Sequence, residues 1–212
     1  MVVFVDFDGT ITDVDTFDAL VRDASGEDVW RELDQELVAG RISLRETLRR
    51  QALLVHRTRE QALAFLEKTA TVDPAFAAFV AVARGYGAEV IVLSSGVGSI
   101  IRTALERAGV DVPVFANDVD FDPSGWTLTF IDDSSNGHDK AARVRNAKAA
   151  GGSTVYIGDG ISDFEAALVA DRRFAKKDRA LERYCRERGV ACTSFSSFAH
   201  IERALFSASA TA

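Results

Sequence analysis

Two aspartates near the start of the chain could act together as a nucleophile and an acid. Asp6 and Asp8 come directly after the apolar run Val2–Val5 and are followed by Gly9. Because glycine lets the backbone turn where a side chain would clash, both carboxylates can point into one site. An oriented carboxylate is a competent covalent nucleophile, and a second one can protonate a leaving oxygen and later activate water. We therefore predict that Asp6 is a nucleophile and Asp8 a general acid and base.

Two further aspartates, Asp159 and Asp163, follow another apolar run far along the chain. Four carboxylates that converge on one site repel each other strongly unless a cation lies among them. Hard oxygen ligands of this kind suit Mg²⁺, which keeps several waters and also takes a phosphate oxygen. The sequence therefore predicts Mg²⁺ as the cofactor and a phosphorylated compound as the substrate.

Donors for a phosphate group are also present. Ser94, Ser95 and Gly96 follow a third apolar run, and a hydroxyl with the backbone N–H groups after it can donate to phosphate oxygens. Lys140 can supply a fixed positive charge to the phosphate and to the nucleophile. Thr10, just beyond the first aspartates, is a candidate for phosphate contact as well.

Each of these residues also has a structural interpretation. Asp6 can cap a turn, Thr10 can satisfy turn backbone, and Asp163 can begin a helix. Ser94 can be the N-cap of the helix after it, and Lys140 can belong to a solvated helix face. We favour the functional interpretation because the residues occur together and in a consistent order.

Short apolar runs alternate with helical patterns over much of the chain, which favours an α/β fold with a parallel sheet and right-handed crossovers. The strands are predicted at 2–5, 89–93, 112–116 and 154–157, and the helices at 74–84, 99–108, 138–150 and 163–170. Asp6, Ser94 and Asp159 each follow the carboxyl end of a strand. Ligands bind at that edge of open α/β sheets.

Two segments depart from the alternation. Residues 118–131 alternate polar and apolar side chains around a Pro and a Gly, which predicts a hairpin. Residues 14–72 contain no strand pattern and show amphipathic stretches at 16–24, 27–39, 44–56 and 59–69. We therefore expect an all-helical insertion after the first strand, and a core made of residues 1–13 and 73–212. The small polar tail, 207–212, is expected to fray.

Four segments of the chain resemble the four motifs of the haloacid dehalogenase superfamily in order and spacing, over roughly residues 1–175. They are Asp6-Phe7-Asp8-Gly9-Thr10, Leu93-Ser94-Ser95-Gly96, Lys140, and Gly158-Asp159-Gly160-Ile161-Ser162-Asp163. The resemblance implies a Rossmann-like core, an aspartyl nucleophile at Asp6 and bound Mg²⁺. It implies that the metal is ligated by Asp6, the Asp8 carbonyl and Asp159, with Asp163 ligating or supporting it.

The helical insertion is similar to the cap domain of the phosphoserine-phosphatase-like subgroup. Asp15 and Gln51 occupy the positions where phosphoserine phosphatases have a Glu and an Arg that hold the amino acid, and loss of Arg removes a bidentate carboxylate partner. Two matches within the subgroup therefore compete. Phosphoserine phosphatase is kept as an alternative, whereas the opening motif and the segment after 156 look closer to phosphatases of 2-hydroxy-3-keto-5-methylthiopentenyl-1-phosphate. We expect Asp15, Arg49 and Gln51 to face the substrate from the cap.

Bulk properties restrict the partners. The 212 residues are 47% hydrophobic with a net charge of −7, which disfavours nucleic acid and anionic membranes. No apolar run approaches the roughly 20 residues of a membrane helix and no leader pattern is present, so we expect a cytoplasmic protein, monomeric or homodimeric. Cys185 and Cys192 are expected to be reduced. Three scattered histidines lack metal spacing, and His138 is expected to cap a helix.

Other functions use the same residues. A phosphotransferase or phosphomutase would form the same intermediate and pass the phosphoryl group to a sugar hydroxyl. A non-catalytic metabolite-binding protein would be expected to lose a nucleophile or acid, and all candidates are retained here. Dehalogenation is disfavoured, since displacement at carbon needs neither a metal nor the carboxylate of Asp8.

Overall fold

A seven-stranded sheet forms the centre of the protein. The computed structural model describes residues 1–207, and the strand order in the sheet is β4-β3-β2-β1-β5-β6-β7. All neighbouring strands are parallel except β3 and β4, which are antiparallel. The strands are β1 (Val2–Val5), β2 (Glu89–Val97), β3 (Val114–Asp120), β4 (Thr127–Thr129), β5 (Thr154–Gly158), β6 (Arg172–Lys176) and β7 (Thr193–Phe195).

Four helices lie between β1 and the rest of the sheet-forming chain: α1 (Thr16–Ser25), α2 (Glu27–Val38), α3 (Leu44–Ala52) and α4 (Arg59–Thr69). Six more connect or follow the strands: α5 (Phe76–Gly85), α6 (Gly98–Arg107), α7 (Lys140–Ala149), α8 (Phe164–Val169), α9 (Ala180–Glu187) and α10 (Phe198–Phe206). Side-chain oxygens of Asp15, Ser43 and Thr58 accept hydrogen bonds at the starts of α1, α3 and α4. These caps satisfy backbone N–H groups and fix the residues at which α1, α3 and α4 begin.

Helices cover both faces of the sheet. Val3 and Val5 of β1 face a core formed with α5, α6 and α10, whereas Phe4 faces a second core formed with α7, α8 and α9. Successive side chains of a strand point to opposite faces, so a central strand between two helical layers is apolar throughout. Val3, Phe4 and Val5 are all buried, as a strand in the middle of the sheet requires.

The four helices of the insertion share a third core. Phe17 and Leu20 of α1 pack there with Leu66 of α4, and the cluster also includes Ile100 of α6 and Trp126 of the β3–β4 hairpin. The insertion therefore rests on the carboxyl side of β2 and on the hairpin. The chain leaves and returns at adjoining points, because Thr12 and Val72 form an isolated antiparallel bridge.

The structure confirms the α/β fold, its parallel sheet, the hairpin and the helical insertion. Some bounds differ: β2 continues to Val97, β3 begins at Val114, and α3 ends at Ala52. The sequence analysis did not anticipate the elements β6, α9, β7 and α10. The fraying predicted for the tail concerns 208–212, which lie outside the described residues. Within residues 1–207, no helix has both the length and the apolar character needed to cross a membrane.

Candidate active site

Asp6 and Lys140 form a buried ion pair at the carboxyl edge of the sheet. Asp6 follows β1, and Lys140 is the first residue of α7. The Lys140 ammonium donates to Asp6 Oδ1 at 2.6 Å, to Asp163 Oδ1 at 2.8 Å and to Ser162 Oγ at 2.9 Å. Burial alone would lower the pKa of Lys140, but Asp163 and Asp6 raise it above its ordinary value. Lys140 is thus a permanent cation whose three protons all have acceptors.

Asp163 lies beneath the site with no exposed surface. Its Oδ1 accepts from Lys140 and from the Tyr156 hydroxyl at 2.7 Å. Its Oδ2 accepts from the backbone N–H groups of Asp159 at 2.9 Å and Gly160 at 3.0 Å. The Ser162 hydroxyl also donates to Oδ1, at 3.4 Å, so that five donors on two oxygens hold Asp163, which in turn fixes Lys140 and the turn after β5.

Three carboxylates come close enough together to hold a cation. Asp6, Asp159 and Asp163 each offer an oxygen within 4.8 Å of the others. Burial, with a contribution from the charge of Asp163, raises the pKa of Asp159 to about 7. Burial and the same charge also raise the pKa of Asp6 well above its ordinary value, against the effect of Lys140. One ammonium does not neutralise three carboxylates, and the raised pKa values of Asp6 and Asp159 reflect burial and the negative charge that remains. Hard carboxylate oxygens with excess negative charge fit Mg²⁺.

Gly9 and Thr10 complete this side of the site. Gly9 has φ +74°, and a Cβ on it would collide with the Asp159 carboxylate. The turn can therefore approach Asp159 only with glycine at this position. The hydroxyl of Thr10 is buried and donates to Asp159 Oδ1 at 3.4 Å. Thr10 therefore supports the carboxylate in this structure.

Asp8 is held by the helical insertion and by β2. Its Oδ1 accepts from the Thr16 backbone N–H at 3.0 Å and from the Thr16 hydroxyl at 2.5 Å. Its Oδ2 accepts from the Ser94 hydroxyl at 3.2 Å. Burial raises the pKa of Asp8, and the hydrogen bonds from Thr16 act in the opposite direction. A carboxyl group with a raised pKa suits proton donation to a leaving oxygen.

The segment Ser94, Ser95 and Gly96 lies beside Asp8 within β2. The Ser94 hydroxyl accepts from the Gly96 backbone N–H at 2.8 Å, and the Ser95 hydroxyl donates to the Asn136 carbonyl at 3.1 Å. A Cβ on Gly96 would collide with the Asp8 carboxylate. Because β2 continues to Val97 and α6 begins only at Gly98, Ser94 does not cap that helix.

His138 does not cap α7 as the sequence analysis expected. The cap is Asp139, whose carboxylate accepts from the Ala142 backbone N–H at 2.8 Å. His138 is buried, with Nδ1 3.0 Å from the Ser94 carbonyl oxygen and Nε2 3.3 Å from Nε of Arg143. The Ser94 carbonyl oxygen can only accept and the Arg143 guanidinium can only donate. Therefore Nδ1 of His138 carries the proton and Nε2 accepts. Burial lowers the pKa of His138 to about 4.

A cleft of about 520 Å³ opens above these residues, between the sheet edge and the helical insertion. Its core wall includes Asp6, Asp8, Asp159 and the Ser94–Gly96 segment. Its insertion wall includes Asp15, Phe17, Asp18, Arg22, Trp30, Asp34, Leu44, Thr47, Leu48 and Gln51. A second cavity of about 290 Å³, between α4 and α6, is lined mainly by apolar side chains and holds none of the residues predicted to act on substrate.

The structure thus separates the three residues expected to face the substrate from the cap. Asp15 and Gln51 line the cleft. Arg49 lies outside it on the exposed face of α3, where it donates to the Glu46 carboxylate at 2.8 and 2.9 Å. Lys140 and Asp163 lie directly beneath the cleft floor.

Sequence reasoning missed several residues of the site. Thr16 donates to Asp8, and Ser162 accepts from Lys140. Asp18 lines the cleft. A signal was available for Asp18: it lies three residues after Asp15, the N-cap of α1, so that both are at the start of the helix that follows the turn after β1. No comparable pattern points to Thr16 or Ser162, whose roles depend on how distant segments meet.

A protein-family model described as haloacid dehalogenase-like hydrolase matches residues 3–168. The chain is 35% identical to Pdp3-interacting factor 1 of Schizosaccharomyces pombe, over 96% of this chain and 93% of the relative. It is 30% identical to polyol phosphate phosphatase PYP1 of Saccharomyces cerevisiae, over 94% and 90% of the two chains. It is also 30% identical to 2-hydroxy-3-keto-5-methylthiopentenyl-1-phosphate phosphatase of Brevibacillus brevis, over 83% and 82%.

The fold is also similar to that of solved structures. A phospho-aspartyl intermediate analogue of phosphoserine phosphatase superposes with a TM-score of 0.73 over 96% of this chain and 97% of the other, at 20% identity. The likeness extends over the core and the helical insertion alike. Because the family model matches most of the chain and the relatives reach 30% identity or more, the protein belongs to the haloacid dehalogenase-like hydrolase family.

Proposed function

We propose that the protein is a Mg²⁺-dependent phosphomonoesterase that hydrolyses a small phosphorylated metabolite through an aspartyl-phosphate on Asp6. The observation that carries the proposal is the position of Asp6. Its carboxylate is fixed by Lys140 at 2.6 Å and lines the same cleft as Asp8 and Asp159. Phosphoryl transfer depends on such positioning and on neutralised charge.

In the first step, an Asp6 oxygen attacks phosphorus and the bond from phosphorus to the substrate oxygen breaks. Asp8 gives its proton to that oxygen, and the raised pKa of Asp8 makes the proton available. Ser94, Ser95 and Gly96 line the cleft beside Asp8 and offer donors to the phosphate oxygens. The Lys140 ammonium lowers the pKa of Asp6, against the effect of burial, and compensates charge beneath it.

In the second step, Asp8 acts as a carboxylate. It takes a proton from a water molecule, whose oxygen attacks phosphorus and displaces Asp6. Inorganic phosphate leaves, and Asp6 and Asp8 return to their starting forms. Because one residue acts as acid and then as base, the second carboxylate is needed in both halves of the reaction.

Asp6, Asp159 and the backbone carbonyl of Asp8 are the groups that would hold Mg²⁺, which supplies positive charge to the phosphate oxygens when bound. Asp163 supports the site through Lys140 and the turn after β5, since its Oδ1 already accepts three hydrogen bonds and its Oδ2 two. Thr10 supports Asp159 in the same manner.

The helical insertion, residues 14–72, acts as a cap domain over the core formed by 1–13 and 73–212. Its helices provide one wall of the cleft, so closure would exclude water from the intermediate. The bridge between Thr12 and Val72 supports these boundaries, because it marks where the chain leaves and re-enters the core.

The substrate is a small phosphorylated metabolite, and the protein acts as a cytoplasmic monomer or homodimer without nucleic acid or membrane partners. Relatives are named for a polyol phosphate and for 2-hydroxy-3-keto-5-methylthiopentenyl-1-phosphate. Cys185 and Cys192 are free thiols, which suits a reducing compartment. Gln51, where a phosphoserine phosphatase would carry Arg, disfavours phosphoserine as the substrate.

The proposal is tested by hydrolysis of p-nitrophenyl phosphate with and without Mg²⁺, in the wild type and in Asp6→Asn. We expect turnover only in the wild type with the metal. Equal activity in both proteins would exclude Asp6 as the nucleophile. Addition of a sugar acceptor and analysis of the products would separate hydrolysis from phosphoryl transfer.

A further inference from the structure

We infer that His138 is a positioning residue for phosphate binding: through the Ser94 carbonyl it turns the Ser95 N–H toward the phosphate of the substrate. This role rests on the proposed phosphatase activity, and it concerns a buried group that neither proposed chemical step uses. It is carried by the hydrogen bonds of His138 and by the irregular pairing of β2 beside the cleft.

β2 loses its regular pairing with β3 where it lines the cleft. The register shifts between Leu93 and Val97, which pair with Phe115 and Asn117, so residues 94–96 of β2 lie opposite a single residue of β3. A bulge of this kind leaves extra residues unpaired and disrupts the hydrogen bonds of the ladder locally. The peptide groups of the bulge therefore need partners other than the backbone of β3.

Two buried side chains hold carbonyl groups of this bulge. His138 Nδ1 donates to the Ser94 carbonyl oxygen at 3.0 Å, and Asn117 Nδ2 donates to the Ser95 carbonyl oxygen at 2.6 Å. His138 and Asn117 are 1% and 0% exposed, and both lie outside the lining of the cleft. Both carbonyls are therefore directed into the protein, away from the substrate.

The direction of the Ser94 carbonyl decides the direction of the next N–H. The peptide bond between Ser94 and Ser95 is trans, so the Ser95 N–H points opposite to the Ser94 carbonyl. Because that carbonyl is directed inward to His138, the N–H is directed to the cleft, which Ser95 lines. A backbone N–H that is already oriented can donate to a phosphate oxygen with little further ordering on binding.

The same contact also fixes the backbone that carries the Ser94 hydroxyl. This hydroxyl accepts from the Gly96 N–H at 2.8 Å and donates to Asp8 Oδ2 at 3.2 Å. Without His138, the Ser94 carbonyl would be a buried acceptor without its donor, which favours rotation of the peptide group toward another partner. Such a rotation would move the Ser95 N–H out of the phosphate site and disturb the hydrogen bond to Asp8.

Arg143 holds the ring of His138 in the orientation that this role requires. Its Nε donates to Nε2 of His138 at 3.3 Å, and its guanidinium lies 3.5 Å from the centre of the Phe115 ring on β3. Because Nε2 accepts from Arg143, the proton of the neutral ring is on Nδ1, where the Ser94 carbonyl accepts it.

Two amide variants test the role, because each replaces one ring nitrogen only. His138→Asn places its amide near the position of Nδ1 and can still donate to the Ser94 carbonyl. His138→Gln places its amide near the position of Nε2, so it keeps a partner for Arg143 and leaves the Ser94 carbonyl without a donor. Neither amide titrates, so a difference between the two variants reports the position of the donor.

The measured quantity is the Ki of inorganic phosphate as an inhibitor of p-nitrophenyl phosphate hydrolysis with Mg²⁺. We expect Ki to rise about tenfold in His138→Gln and to stay within about twofold of the wild type in His138→Asn. Isothermal titration calorimetry of the Mg²⁺-loaded proteins with orthovanadate makes the same comparison without turnover. A merely structural contribution of His138 would lower the melting temperature of both variants and leave both binding constants unchanged.

His56→Gln is the matched control. His56 also has Nδ1 3.3 Å from a backbone carbonyl oxygen, that of Pro123, but it is exposed and lies outside the lining of the cleft. Its substitution should leave the Ki of phosphate unchanged.

Nuclear magnetic resonance of the wild type tests the same contact without any variant, and so decides the matter even where His138→Gln does not fold. The ring ¹⁵N shifts of His138 should identify a proton on Nδ1, and the amide proton of Ser95 should move downfield when phosphate binds. A proton on Nε2, or a Ser95 amide signal that phosphate does not move, would overturn the inference.

The outcomes separate the role of His138 from the proposed function. If the wild type fails to hydrolyse the aryl phosphate with Mg²⁺, the phosphatase proposal itself is wrong. If it hydrolyses the aryl phosphate and the two amide variants have the same Ki for phosphate, phosphatase activity stands and the positioning role of His138 is refuted.

Discussion

Lys140 Nζ lies 2.6 Å from Oδ1 of Asp6, although 134 residues separate the two in the chain. The contact joins the end of β1 to the start of α7 in a region that solvent does not reach, as the two side chains are 1% and 6% exposed. A buried charge pair is costly to break from one side only, because the remaining charge is left without compensation. The contact is therefore expected to contribute to stability as well as to the proposed chemistry of Asp6.

Replacement of Lys140 by Met is expected to lower both stability and activity. Loss of one partner of a buried pair typically costs about 3–5 kcal/mol, and here two carboxylates, Asp6 and Asp163, lose their common cation. Urea denaturation monitored by circular dichroism measures the change in the free energy of unfolding, and aryl phosphate hydrolysis measures the loss of turnover.

Lys148→Met is the matched control for that experiment. Lys148 belongs to the same helix and pairs with Asp171 at 2.7 Å, but both side chains are about two-fifths exposed. An exposed pair contributes about 0–1 kcal/mol. An equal decrease in the free energy of unfolding in both variants would contradict the expectation that the buried Lys140 pair contributes more to stability than the exposed Lys148 pair.

Replacement of Thr16 by Val is expected to slow turnover by displacing Asp8. The hydroxyl of Thr16 is one of two groups on this residue that donate to Asp8 Oδ1, and both lower the pKa of Asp8. Without the hydroxyl the pKa of Asp8 rises, so the alkaline limb of the kcat/KM profile, where the acid loses its proton, moves to higher pH. We expect kcat to fall about tenfold, which corresponds to about 1.4 kcal/mol.

Thr16→Ser restores the hydroxyl and should restore both kcat and the pH profile. A purely structural contribution of Thr16 would lower stability without moving the alkaline limb. An unshifted profile in Thr16→Val would therefore contradict the assignment of Thr16 as a positioning residue for Asp8.

The carboxylates on the core wall of the cleft could be predicted from the sequence because they follow the ends of strands. Asp6 comes directly after β1, and Asp159 comes directly after β5. The two strands are adjacent and parallel in the sheet, so their carboxyl ends lie side by side. Local pattern and motif order thus contain most of the information needed to bring these two carboxylates together.

The insertion wall of the cleft could not be predicted from the sequence in the same way. Gln51 lies inside the cleft and Arg49 outside it, although they are two residues apart on α3. Residues two apart in a helix point about 200° away from each other, so the outcome depends on the rotation of α3 about its axis. That rotation is set by packing with α1 and the hairpin, which the sequence pattern does not specify.

The last four elements, β6, α9, β7 and α10, were missed for a different reason. β6 reads Arg-Arg-Phe-Ala-Lys, and only Phe174 and Ala175 are buried in it. Arg172 and Arg173 donate from this strand to the carbonyls of Ala204 and Ala170. A short strand away from the centre of a sheet can carry charged residues, and hydrophobic periodicity then does not reveal it.

His138 is expected to make the protein less stable as the pH falls. Burial lowers the pKa of His138 to about 4 in the folded state, below the ordinary value of 6.5. Between about pH 6.5 and pH 4 the unfolded chain therefore binds a proton that the folded chain does not, which favours unfolding; above that window the group has no effect.

The His138→Asn variant retains a donor but does not titrate, so its melting temperature should fall less than that of the wild type between pH 7 and pH 5. Differential scanning calorimetry of both proteins measures the difference. His56→Asn is the control for the change of residue type alone, because His56 is exposed. Parallel curves for the wild type and His138→Asn would contradict the neutral, buried state of His138.

Mg²⁺ affinity is expected to rise with pH because of Asp159. Burial and the neighbouring Asp163 raise the pKa of Asp159 to about 7, so a large share of the metal-free protein carries a proton there at neutral pH. A metal binds the deprotonated carboxylate and releases that proton. For a single group with this pKa, affinity should increase about tenfold between pH 6 and pH 8, as measured by isothermal titration calorimetry.

The same group should make the metal-free protein lose stability as the pH rises. The folded-state pKa of Asp159 lies above its ordinary value of 3.8, so its contribution to stability is present at low pH and declines as the pH increases through about 7. Mg²⁺ should therefore raise the melting temperature more at pH 8 than at pH 6. Asp159→Asn cannot titrate and should lose both pH effects, and a Mg²⁺ affinity in the wild type that does not change across this range would show that Asp159 is ionised before the metal binds.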